Sequence, residues 1–139
     1  MVNLETLPHP EFLPYPNHYT VAFFRNREDA EKAIRELEEH GYDDEEFSLF
    51  EGAHGVSAVD LEGTHHTVLE NFMRKFIKFS DSAEWNFLRE ADQEIKNGHI
   101  LLCVPTPNDL EKKEVIATFK RTGGYDLRYF TPLYVEEVV

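Results

Sequence analysis

The sequence predicts an α+β fold, a ferredoxin-like sandwich built from two β-α-β units with a helical hairpin inserted between them. Three observations carry this. Residues 18–50 and 99–131 repeat one order: apolar strand, Asn-capped helix, Gly, Tyr-Asp, strand. In that repeat Asn26 matches Asn108, Gly41 matches Gly123, and Gly41-Tyr42-Asp43 echoes Gly124-Tyr125-Asp126. Between the units, residues 64–97 carry apolar side chains at helical spacing. The chain has 139 residues, 41% hydrophobic and 13% aromatic, which suits one packed domain over 1–139 and excludes a disordered chain.

The elements follow in order. Residues 1–17 hold Pro8, Pro10, Pro14 and Pro16 and read as an irregular arm lying across the domain or a partner subunit. Val21, Phe23 and Phe24 mark a strand over 18–24. Asn26 stands three before Asp29, the position of an N-cap ahead of an acidic first turn. Ala30, Ala33, Ile34 and Leu37 then give an amphipathic helix over 27–40, which Gly41 closes. Phe47 to Phe50 is a short strand; Gly52 and Gly55 break the pattern, and Val56 to Leu61 reads as extended. Val68, Leu69, Phe72, Met73, Phe76 and Ile77 share a helix face, Ser80 and Asp81 interrupt it, and Trp85, Leu88, Ala91 and Ile95 form the second helix of the hairpin, closed by Gly98. His99 to Val104 is a strand, and Asn108 caps a helix buried through Val115, Ile116 and Phe119. Tyr125 to Thr131 is a further strand, and the tail, residues 132–139, is suited to an edge strand. The two units leave one sheet face to be covered by the hairpin, the arm or a second copy, so a homodimer is expected.

Charge narrows the partners. Lys plus Arg is 14 and Asp plus Glu is 27, a formal net charge of −13. That excludes tracking a phosphate backbone, which needs Lys and Arg to displace counterions, and docking on anionic lipid. No run approaches the ~20 apolar residues of a membrane span. Cys103 is the only cysteine and lies in an apolar run, Ile100 to Val104, which reads as a buried core thiol in a cytoplasmic protein.

The run from Val21 to Ala33, then Gly41-Tyr42-Asp43-Asp44-Glu45-Glu46-Phe47-Ser48-Leu49, and later Asn97-Gly98-His99-Ile100-Leu101-Leu102, resembles the small bacterial heat-induced or general stress proteins. The resemblance covers residues 20–50 and 90–130. It implies a stress-associated role of undefined mechanism and carries over no catalytic residues.

No phosphate loop, nucleophile elbow, paired-cysteine zinc site or organic cofactor motif occurs. Metal-ligand residue types gather in His54, Asp60, Glu62, His65, His66 and Glu70; His66 and Glu70 share a helix face at a spacing of four, which leaves a divalent metal open. Against this stands a polar loop with a helix cap. Phe72, Phe76, Phe79, Trp85 and Phe87 are suited to a ligand pocket or an interface, or simply to core. Glu36, Glu38, Glu39, Asp43, Asp44, Glu45 and Glu46 form an acidic patch, a solvated helix end or a docking surface for a basic protein. The expected function is therefore a non-enzymatic stress-associated protein acting through self-association and a bound ligand. The alternatives are a metal-assisted enzyme at His54, His65, His66 and Glu70, and an acidic adaptor.

Overall fold

The computed structural model describes residue 7 and residues 18–59, 83–131 and 135–138. It is an α+β fold with one antiparallel sheet of five strands and, among the described residues, four α-helices. In chain order these are β1 (Tyr19–Phe24), α1 (Arg27–Glu39), a 3-10 turn (Asp44–Glu46), β2 (Ser48–Phe50), α2 (Gly52–Val59), α3 (Ala83–Lys96), β3 (Ile100–Pro105), α4 (Asp109–Arg121), β4 (Tyr125–Phe130) and β5 (Val135–Glu137). The strand order is β2-β3-β1-β4-β5, with every pairing antiparallel. The arm apart from Leu7 and the first helix of the hairpin lie outside the described residues.

The repeat is expressed in matching helix ends. Asn26 and Asn108 both sit in extended backbone, and each side-chain oxygen accepts from the amide three residues on, at 2.8 Å from Asp29 and 2.9 Å from Glu111. Each cap thereby satisfies one of the amides that a helix start leaves without a partner. At the other end Gly41 takes φ +102°, so that Tyr42 N–H returns to the Leu37 carbonyl at 3.1 Å. This left-handed residue closes the helix with paired carbonyls.

Alternation along the strands divides the core between two faces. Ala22, Phe24, Leu49, Ile100, Leu102 and Val104 point to one face, where Ala33, Ile34 and Leu37 of α1 and Val115 and Phe119 of α4 cover them, joined by Leu7. Val21, Phe23, Phe50, Leu101, Cys103 and Phe130 point to the other. There Ala58 and Val59 of α2 and Phe87, Leu88, Ala91 and Ile95 of α3 cover them. Each such Phe or Leu contributes about 1.5–3 kcal/mol by leaving water. The second face is thus buried by the chain's own helices, which removes the open face that motivated a dimer.

One expectation is corrected. Residues 56–59 are helical, because Gly52 and Gly55 start and pack a helix instead of breaking one. Gly55 is buried, and a Cβ there would lie 3.0 Å from Ile95 Cγ2 and 3.0 Å from the backbone carbon of Phe50. The missing side chain lets α2 approach α3 and β2 together. No described helix is long and apolar enough to cross a membrane.

Candidate functional site

Among the described residues, a set of titratable side chains gathers where α3 ends and β3 and β4 begin. Local chemistry assembles it. Gly98 takes φ +89°, and His99 N–H returns to the Glu94 carbonyl at 3.0 Å, so the closing turn of α3 folds His99 back over Glu94. The His99 Nδ1 and Glu94 Oε2 atoms are hydrogen-bonded. Tyr125 Oη donates to the same Glu94 oxygen at 2.7 Å and lies 2.7 Å from His99 Nδ1. A phenol gives one proton. Since Tyr125 gives it to Glu94, the hydrogen between Nδ1 and Glu94 sits on the His99 side. Burial, then the bond to Glu94, holds the Tyr125 phenol well above its ordinary range, so it remains a donor at neutral pH. The Arg25 guanidinium lies over the Tyr125 ring, 4.4 Å from its centre.

A distortion in β4 brings in the second half. The β1–β4 register jumps between Val21 and Phe23, so one extra residue of β4 is accommodated there, and Asp126 takes φ +52°. An aspartate tolerates that left-handed conformation at a cost of about 1–3 kcal/mol, and such bulges re-aim side chains. Here the bulge brings Asp126 to Glu90 and Glu94, which stand one turn apart on α3. Oxygens of the three carboxylates lie within 4.8 Å of one another, a group that could hold one positive charge among them. Arg128 Nη2 donates to Glu90 at 2.6 Å, and its Nη1 is spent on the Asp126 backbone carbonyl at 2.6 Å. Burial first, then the hydrogen bond with Asp126, raises the Glu90 carboxyl to about 7, against the opposing pull of Arg128.

The residues singled out from the sequence fall elsewhere. His54 is exposed on α2; Asp60, His65, His66 and Glu70 lie outside the described residues. So do Phe72, Phe76, Phe79 and the side chain of Trp85. Phe87 is 4% exposed and packs against Phe23 and Phe130, with ring centres 5.9 and 4.8 Å away, so it is core between α3 and the sheet. The acidic patch divides. Glu36 pairs with Arg121 of α4 at 2.8 Å, at the wall of a groove of about 580 Å3 between the two helices. Glu38 is raised by burial and by its hydrogen bond with Asp44. Asp43 and Glu46 cap the 3-10 turn reciprocally, and with Asp44 and Glu45 they are exposed, as is Glu39.

Sequence reasoning passed over Glu90, Glu94, His99, Tyr125, Asp126 and Arg128. The available signals were two glutamates at a spacing of four ahead of Gly98-His99, and the Tyr-Asp pair that repeats after Gly124. No family model, no curated protein and no solved structure matches this chain.

Proposed function

We propose that this chain is a small non-enzymatic binding protein of the stress-associated kind its sequence resembles, and that the cluster around Glu94 and His99 is where it takes a small organic cation. The observation that carries the reading is the surplus of acceptors. Three carboxylates converge, while one guanidinium serves Glu90 and another lies over the Tyr125 ring. A primary ammonium offers three donors to such a set. Calorimetric titration of the whole chain with diaminobutane tests it. Saturable binding weakened about tenfold or more by Glu94→Gln is expected, since a hydrogen bond to a charged group is worth about 1.5–3 kcal/mol. Absence of heat, or binding of magnesium, calcium or zinc with none of the amine, would contradict the ligand class.

The strand order β2-β3-β1-β4 with α1 and α4 over one face supports reading the core as a ferredoxin-like sandwich, with β5 added at the edge. For self-association, the sheet edges are the surfaces among the described residues that support the reading. The β5 edge carries Glu136 and Glu137, which repel a second copy, so β2 is the edge suited to pairing. Light scattering at micromolar concentration decides it, and a strict monomer would remove this part of the proposal. The lone thiol Cys103, buried and unpaired, supports a cytoplasmic setting.

A further inference from the structure

The junction of α3 with β4 carries more carboxylates than its cations can serve, and this has a consequence whatever ligand the protein takes. Glu90 of α3 is faced from β4 by Asp126 and Arg128 and along its own helix by Glu94. Beyond Glu94 stand His99, Tyr125 and Arg25. Arg128 Nη2 donates to the Glu90 carboxylate and Nη1 to the Asp126 main-chain carbonyl. The carboxylate oxygens of Asp126 lie within 4.8 Å of those of Glu90 and Glu94. Two carboxyl groups can hydrogen-bond only when one of them holds a proton. Arg128 and Glu90 are sheltered, their side chains 13% and 26% exposed, while Asp126 faces them from the exposed side of the bulge. Solvent therefore screens the repulsion between the carboxylates only in part.

We propose that Glu90, Asp126 and Arg128 form a proton-operated latch between α3 and the bulge of β4. With a proton shared by Glu90 and Asp126, α3 is tied to the bulge by that bond as well as by Arg128. When the proton leaves, the two carboxylates repel, only the Arg128 contact persists, and the last turns of α3 loosen together with the Glu94–His99 pair they position. The switching range follows from the carboxyl of Glu90, raised from 4.5 to about 7, so opening occurs as pH rises through neutrality. The sign is set by a folded state that binds this proton more tightly than the unfolded chain: the latch contributes below about pH 4.5 in full and is lost by about pH 7 and above.

Carbon-detected NMR of the full chain reads the Glu90 carboxyl directly. A midpoint near neutrality is expected, falling in Asp126→Asn and rising in Arg128→Gln. A midpoint in the ordinary glutamate range, or one that Asp126→Asn leaves unmoved, would overturn the latch. Amide exchange across residues 90–96, corrected for its intrinsic pH dependence, gives the mechanical half. Protection is expected to fall several-fold between pH 5.5 and 8 and to stay flat in Glu90→Gln. A flat profile in the unmodified protein would refute the opening. Neither result depends on whether an amine binds, so failure of the latch and failure of the binding reading are separable.

Discussion

Replacing Gly55 by alanine should lower stability, although alanine is the better helix former. The substitution adds one methyl carbon, which would stand 3.0 Å from Ile95 Cγ2, 3.0 Å from the Phe50 backbone carbon and 3.4 Å from Ile95 Cδ1. Ile95 is 2% exposed and packed on the second sheet face, and a strand backbone cannot give way as a flexible side chain can. Overpacking of this kind costs about 1–3 kcal/mol. Helix propensity returns about 1 kcal/mol. The balance is destabilisation of about 0–2 kcal/mol for alanine and about 3 kcal/mol for Gly55→Val, where two further carbons must be placed. At this chain length 1 kcal/mol moves Tm by roughly 3–4 °C, so the valine variant should melt about 10 °C lower. Thermal unfolding by circular dichroism measures this, with exposed Ser57→Ala on the same helix as a control. A second cycle with Ile95→Ala should recover part of the Gly55→Ala loss, because neighbours that touch do not add. The reasoning fails if Gly55→Ala raises Tm by the propensity term alone, for then α2 does not pack against α3 and β2.

The duplicate caps predict duplicate losses: Asn26→Ala and Asn108→Ala should each cost about 1 kcal/mol in urea unfolding, and a difference of more than about 1 kcal/mol between them would contradict the equivalence of the two helix starts. Cys103 is fully buried, and burial pushes its thiol well above the ordinary range, so native protein should react with a thiol reagent only as fast as it unfolds. Fast stoichiometric labelling would place the thiol outside the core. Lys112 joins α4 to β5, its ammonium 2.9 Å from Glu136 and 4.1 Å from the centre of the Tyr129 ring. Lys112→Ala should therefore speed amide exchange in Val135–Glu137 and leave β1 unaffected, whereas unchanged exchange in β5 would show that the strand is held by its ladder alone.

Much of the fold was legible because its signals are local. The Asn caps, the closing glycines and the helical stripes of α1 and α4 each act within a few residues, and the repeat exposed them twice. What failed was local evidence read without its tertiary reason. Gly55 looks like a helix breaker in sequence, yet it is the position where a side chain would clash with Ile95, 40 residues further along. The site was less legible for the same cause. Glu90 and Asp126 are 36 residues apart and meet only because a bulge turns Asp126 out of the β4 alternation. The acidic run 36–46 was read as a single patch, but Arg121, far away in sequence, takes Glu36 out of it. Histidines close together in sequence drew attention to His54, while the histidine that meets a carboxylate and a phenol is His99, isolated in sequence and placed by the turn after Gly98.

The most direct test of the cluster as a proton-linked cation site is the number of protons exchanged when diaminobutane binds. A cation placed among the three carboxylates favours ionised Glu90, whose carboxyl is raised to about 7. Titration calorimetry in two buffers of different ionisation enthalpy should therefore show proton release on amine binding near pH 7, and none in Glu90→Gln. Binding with no proton released, or release unchanged in Glu90→Gln, would contradict the account.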